Sequence, residues 1–544
     1  MRISIRTKAI FHQINREHLG LHEFVSDPED LEILLVQIEE SGDIYAIPGL
    51  LNFLLKLDKT KALLIAETIH NHLRQIPVAN LPKFEEQLRT VYLFPGFPDS
   101  RPLDWYKVSP QQVPSVMEFG EFASSLLGVF CFHNNGYVRE AATIALDFIK
   151  DGSEIPFLLL RANDWVHVIR KIAYQALLDR CMLGYTEHFT KNLPLVMRLE
   201  SCDRSDHTYL IKMIVSQLEK EDSWKFLLAS IQSEEMAERR DAFFLAIRST
   251  NTKLRNQAIE LGIRNQDTLI RVWSAKRVNL IRNTAQFERA LSVLREDSFM
   301  PVRLAAIRHS VEHSKDNAVD ILKIALLDRH ISIREFARFH LNKLEPMDYR
   351  EYYRAILSED HQYRLYAAIG GLGETGIAAD DVLLLPFVKH RLVKIRTAAL
   401  RALAKSNLNE HTKTFIACLE DESPKVSREA ARSLLQSRNF VTYQEQIWLL
   451  INKDLASHVK LNAFSLISKL SKWDSIFYLL KLSRLDDEMI HERTQVAMRA
   501  WWSSYNRTFT QPNQYQKKRI REELANHPSK GISTPLDRIL QSFD

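Results

Sequence analysis

Glycine and proline are scarce in this chain, 15 and 18 among 544 residues. An all-β fold of this length would need a turn every ~8–12 residues, so the shortage excludes it and leaves helices joined by short polar corners. Cysteine is scarcer still. Cys131, Cys181, Cys202 and Cys418 stand far apart, with no C-x-x-C pair and no histidine cluster beside them. That pattern excludes a disulfide framework and a zinc module and suits a reducing compartment. No stretch approaches the ~18 consecutive apolar residues of a membrane span. The N-terminal MRISIRTKAIFHQ is basic but lacks the apolar core and small-residue cleavage site of a secretory signal. Together these absences predict a cytoplasmic protein with no membrane partner. The formal net charge of +5 is small for the length, so the average says little about partners.

What the chain does have is length and a repeat. At 544 residues it is several times the usual domain size, which calls for several domains or an elongated array. A basic residue followed three positions later by a small apolar one recurs every 30 to 33 residues. The series runs Arg239 with Ala242, Arg271 with Ser274, Arg303 with Ala306, Arg334 with Ala337, Arg364 with Ala367 and Arg396 with Ala399. It continues at Lys460 with Ala463 and Arg493 with Val496, and begins upstream at Arg139 with Ala142 and Arg170 with Ala173. A degraded unit near Thr208 and Ile211 fills the gap before Arg239. One slot keeps the spacing but moves its arginine: Ser427 precedes Ala430, and the cation is Arg428.

Six residues before the basic position stands an aspartate in many units, as at Asp164, Asp297, Asp328, Asp421, Asp454 and Asp487. An acidic residue closing a corner, proline at the first helical position (Pro301, Pro424) and a small residue admitting a close neighbour together describe a helix start. Val459, Ala463, Leu466, Ile467 and Leu470 form one apolar stripe at helical period. NAVDILKIAL from Asn317 supplies the first helix of a pair. No single pair buries both of its apolar faces, so consecutive pairs must stack into a continuous core.

DSFMPVRLAA from Asp297, DRHISIREFA from Asp328 and DESPKVSREA from Asp421 carry a resemblance to the HEAT-repeat family, including its short bacterial, phycobilisome-lyase-like members. The resemblance covers most of Leu31 to Tyr505. It implies an all-α solenoid of about a dozen stacked helix pairs, and it is nearly silent on function. The expected organisation is a basic arm over 1–24, helical repeats over 25–93, an interruption over 94–115, the main solenoid over 116–505 and a capping helix with tail over 506–544. The interruption gathers Pro95, Pro98, Pro102, Pro110 and Pro114 with Phe97, Trp105 and Tyr106, a composition that predicts a non-helical segment.

No constellation predicts catalysis. GLGETG, with Gly371, Gly373 and Gly376, matches a dinucleotide fingerprint by letter but follows a repeat helix where that motif needs a strand. It reads instead as glycines ending a helix and turning a corner. His309 and His313 are four apart with no third ligand, and His70 and His72 lie on different helix faces, so both pairs are expected at the surface. The sequence therefore predicts no enzyme, no cofactor, no metal and no small-molecule substrate.

Charge separates by helix. The second helices LIRVWSAKRVNLIR from Leu269 and LVKIRTAALRALAK from Leu392 contain no acid. A second basic row follows the ladder by about one turn, at Arg277, Arg308, Arg338, Arg401 and Arg432. In the resembled family second helices line the concave surface, which implies a basic inner groove. Two readings of the cations stay open: ladder arginines bonding the corner aspartate of their own or the adjacent repeat, or a groove presented to a polyanion. The expected function is a scaffold gripping a protein partner of acidic character through the second row, with Trp105, Trp165 and Trp273 as anchors. A nucleic-acid-binding protein, in the manner of glycosylase-like helical-repeat members, is the alternative. A tetrapyrrole-protein lyase or chaperone rests on the family label alone.

Overall fold

The computed structural model describes residues 28–42, 46–55, 57–90, 108–358, 362–507, 509–526 and 541. All their regular structure is helical, with no strand among them. The chain divides into two compact units, Met1–Ala306 and Ile307–Asp544.

Within each unit, helix pairs of HEAT/ARM-like type stack in chain order. We number the second helices α1 Gly136–Phe148, α2 His167–Met182, α3 Thr208–Leu218, α4 Met236–Arg248, α5 Thr268–Arg277, α6 Met300–His313, α7 Ile331–Leu344, α8 Gln362–Thr375, α9 Val393–Asn407, α10 Pro424–Gln436, α11 Ser457–Ile467 and α12 Glu488–Ser504. The unit boundary falls inside α6. In the first unit α1 packs on α2 and α2 on α3; in the second, α7 through α12 each pack on the next. The small residue three positions after the ladder cation is what lets them approach. Ala142, Ala173, Ala242, Ala306, Ala337, Ala399, Ala430 and Ala463 are all fully buried. Apolar residues one turn to either side complete each stripe, as with Ile395, Ala399 and Leu403 in α9 and Val426, Ala430 and Leu434 in α10.

Four expectations are corrected. Val496 is 62% exposed, while Ile490, Thr494 and Met498 are buried, so α12 turns a different face inward and Arg493 leaves the ladder. The segment over 94–115 is not non-helical throughout, because a 3-10 run extends over Pro110–Phe122 with Pro114 inside it. Ser109 caps that run, so its first turns hold without the missing proline N–H groups. Gly371 and Gly373 do not end a helix but lie within α8. There a Cβ on Gly373 would stand 2.6 Å from the Ala402 Cα of α9, and the Tyr353 ring fills the space beside Gly371. His72 is fully buried with its Nδ1 against the Thr68 carbonyl, and His70 Nδ1 lies 2.8 Å from Ser125 Oγ, so neither is a surface residue.

The four cysteines are free thiols. Burial pushes Cys131 and Cys181 up to about 12, which leaves them protonated and unreactive. No described helix is long and apolar enough to cross a membrane.

Candidate functional site: a basic cleft beside an arginine ladder

The ladder arginines work in one recurring geometry. Arg139 Nη1 donates to the carbonyls of His133 and Asn134, both 2.9 Å away, while Nε and Nη2 grip both oxygens of Asp164 in the next corner at 2.9 and 3.0 Å. Arg271 repeats this with the Asn265 and Gln266 carbonyls and with Asp297 at 2.7 Å. Arg396 does so with the His390 and Arg391 carbonyls and with Asp421 at 2.8 Å. These corner carbonyls lie just before the second helix and so outside its ladder of hydrogen bonds, and a guanidinium has donors enough to serve two of them and a carboxylate together. Of the two structural options, the carboxylate belongs to the adjacent repeat. From its own corner the arginine takes only backbone oxygen, as when Arg303 Nη1 donates to the Asp297 carbonyl at 2.9 Å.

Each corner aspartate holds its own turn as well. Asp164, Asp297 and Asp421 accept the N–H two residues on, at 2.9, 2.7 and 2.8 Å. Burial alone would raise the Asp164 carboxyl, but Arg139, Arg161 and the Val166 N–H outweigh it and hold the group below the usual range. Asp267 is lowered in the same way, burial again being overcome by Arg240 and the Leu269 N–H. Such groups stabilise the fold above the ordinary carboxylate value of ~4, and that contribution disappears as pH falls through their lower folded values. Asp241 acts in the opposite direction: burial, with Glu200 nearby, pushes it up to about 6. Its term costs stability as pH rises from ~4 through about 6. Asp241→Asn is therefore expected to raise unfolding free energy at pH 7 by about 1 kcal/mol and to change little at pH 4, read by denaturant titration at both.

The repeat that lost its arginine opens the site. At the ladder position of α10, Ser427 is fully buried, donating to the Leu419 carbonyl at 2.7 Å and accepting from Asn462 at 2.8 Å. A one-residue displacement turns a side chain ~100° around a helix, so Arg428 stands on the exposed face. Asp454, at the next corner, is left exposed.

Arg428 lines an open cleft of about 460 Å³ between α8, α9 and α10. Its other cations are Lys394 and Arg401 from α9 and Lys425 and Arg432 from α10, all exposed. Tyr366 and Thr397 form apolar and hydroxyl parts of the wall. The cleft's one carboxylate, Glu429, is 7% exposed. Its Oε2 accepts from Arg401 at 2.8 Å and lies 3.5 Å from Arg432. Five cations thus surround one buried acid, a strong local excess in a chain of nearly balanced charge.

The second row is not one stripe. Arg401 and Arg432 meet in the cleft. Arg338 instead donates to Glu374 at 2.9 Å, beside Arg334, which bonds the same carboxylate at 3.2 Å, and beside Lys405 at 3.8 Å. Arg308 is exposed with its guanidinium 5.8 Å from the Phe336 ring, and Arg277 lies half-buried at the end of α5 in the other unit. Trp165 is 67% exposed at a corner, with Arg204 over its face at 3.8 Å. Trp273 is half-buried and stacked on Phe243. Trp105 lies outside the described residues. Lys425, Glu429 and Tyr366 escaped the sequence reading. The one signal that could have found the cleft was the slipped Arg428, since a ladder cation off its register has to point elsewhere.

Among the described residues no group of three or more His, Cys, Asp or Glu side chains could hold a metal ion. No protein-family model and no curated protein matches the chain. Among solved structures, similarity extends to a chain of the Kap95p–RanGDP structure at 11% identity, covering 92% of this chain and 88% of that one, with a TM-score of 0.28. A chain of the S. pombe condensin Cnd3–Cnd2 subcomplex is similar at 13% identity over 95% and 83%, TM-score 0.27. The structure of Kap121p bound to Pho4p is similar at 12% identity over 96% of this chain and 57% of that one, TM-score 0.23. Likeness at that level says nothing of what this chain binds.

Proposed function

We propose that the chain is a non-enzymatic scaffold that holds an acidic segment of a partner protein in the α8–α10 cleft. The observation that carries this reading is the exposed cluster Lys394, Arg401, Lys425, Arg428 and Arg432 around the single buried Glu429. Cations held at a concave wall raise the local concentration of anionic ligands and pay little desolvation until one arrives. Glu429 pins Arg401 from below and fixes its fork, so less side-chain freedom is lost on binding.

An acidic peptide fits better than a nucleic acid because the cluster is short. Its cations come from two adjacent helices, and neighbouring helix axes stand only ~8–10 Å apart. On the α7 side the row is interrupted, since Arg334 and Arg338 are turned inward onto Glu374, at 5% and 13% exposure. A phosphate backbone draws its affinity from many contacts along a stripe.

A fluorescent Glu/Asp-rich peptide of about a dozen residues, and a DNA duplex of equal charge, titrated against the chain from 50 to 200 mM salt, tests the reading. Expected are peptide binding that weakens as salt rises and a duplex at least tenfold weaker. Tighter duplex binding with a steep salt slope would transfer the cleft to nucleic acid, and no binding of either at 50 mM would remove the proposal.

A further inference from the structure

A second cluster of arginines lies in the Met1–Ala306 unit, around a cavity of about 40 Å³. Arg89, Arg161, Arg198 and Arg204 line it together with two carboxylates, Glu85 and Asp164. Those carboxylates are already shared. Glu85 bonds both Arg89, at 2.7 Å, and Arg161, while Asp164 bonds Arg161 at 2.5 Å and Arg139 at 2.9 Å. The lining therefore carries two more positive charges than negative ones, and Arg139 adds a third claim on the same acids.

Two buried donors in this cluster have no acceptor: among the described residues neither Arg89 Nε nor Arg161 Nε has a hydrogen-bond partner. Arg161 is only 2% exposed. A buried donor left unsatisfied costs about 1–3 kcal/mol, more when it carries charge, so an anion entering this cavity would find donors free to bind it. The stress is visible on Arg89, whose guanidinium is lowered from its ordinary value by burial, with Arg161 and Arg139 adding to the effect. The rim has a different character. Arg198 and Arg204 are exposed, and Arg204 is steadied by Trp165 and by an Nη1 bond to the Asn163 carbonyl at 3.0 Å.

We propose that this cavity is an oxyanion site that takes a phosphoryl group, with Arg89 and Arg161 as its floor and Arg198 and Arg204 closing over it. The volume admits a few waters or one tetrahedral anion, and no ring, which restricts the buried part of any ligand to the anion itself. The double charge of a phosphoryl group matches the excess of two, and planar guanidinium forks match its oxygens. The group is either inorganic phosphate or the end of a phosphate monoester whose remainder lies outside, against Trp165. This site belongs to a different unit from the acidic-segment cleft and does not depend on that reading.

The test is thermal unfolding and calorimetric titration of the full chain with inorganic phosphate, O-phosphoserine and acetate, at constant ionic strength set with chloride. Phosphate is expected to raise Tm and to bind at least tenfold tighter than acetate. Phosphoserine bound more tightly than phosphate identifies the monoester, and equal binding identifies the free ion. The double variant Arg198→Ala, Arg204→Ala replaces exposed residues and should keep the Tm of the unliganded chain while losing at least tenfold in phosphate affinity. Arg401→Glu, Arg432→Glu, in the other unit, should keep that affinity. Phosphate no better than acetate, or phosphate affinity unchanged in the Arg198/Arg204 variant, overturns the proposal.

Discussion

Replacing Asp164 by alanine is expected to lower the unfolding free energy by about 3–5 kcal/mol. Its side chain is fully buried and accepts from Arg139, Arg161 and the Val166 N–H. Arg139 and Arg161 are themselves 3% and 2% exposed, so removing the carboxylate takes an ion-pair partner from two largely buried guanidiniums. Glu85 cannot compensate, because it already serves Arg89 and Arg161. The Asx turn that starts α2 goes at the same time. Asp164→Asn keeps the turn and most of the shape but not the charge, and should cost less than alanine. Urea titration separates the two variants. Equal stability of Asp164→Ala and the parent would show that the cluster holds nothing together.

Charge reversal in the cleft, Arg401→Glu with Arg428→Glu and Arg432→Glu, is expected to weaken an acidic peptide at least a hundredfold at 50 mM salt; Arg428→Glu alone, which leaves the Glu429 contacts in place, is expected to weaken it less and to leave thermal stability within a few degrees. The three side chains are exposed, and of them only Arg401 and Arg432 contact Glu429. Three reversals turn an excess of cations into an excess of anions around the same wall, so the steering field changes sign rather than fading. Restoring Arg428 alone should recover part of the affinity. A variant that binds as the parent does would place the peptide elsewhere.

The repeat was legible because two constraints coincide every 30 to 33 residues. A close helix contact demands a small residue, and a corner full of orphan carbonyls demands a guanidinium. Packing against neighbours that the repeat does not encode is where reading failed. In α12 the sequence offered Arg493 with Val496, but Thr494 and Met498 turn inward instead. Gly371 and Gly373 looked like a helix end, because sequence does not show that Tyr353 and Ala402 press against that face.

The basic second row was legible as a list of charges but not as a site. Spacing along one helix does not reveal which acid a long side chain will reach on the next. Arg338 follows its ladder arginine by four residues and Arg401 by five, and Glu374 engages the first in a shared ion pair while Glu429 leaves the second 49% exposed at the cleft. The oxyanion cavity was invisible for a related reason. Its arginines come from three separate stretches of chain, and only folding brings Arg89 and Arg161 beside Arg198 and Arg204.

The division between cations that join repeats and cations that face outward is tested most directly by equilibrium unfolding of two single variants, Arg396→Ala and Arg428→Ala. They stand one repeat apart, the first bonding two corner carbonyls and Asp421, the second at the cleft. Arg396→Ala is predicted to lose about 2 kcal/mol and Arg428→Ala to stay within about 0.5 kcal/mol of the parent. Equal losses, or a larger one at Arg428, would contradict the account.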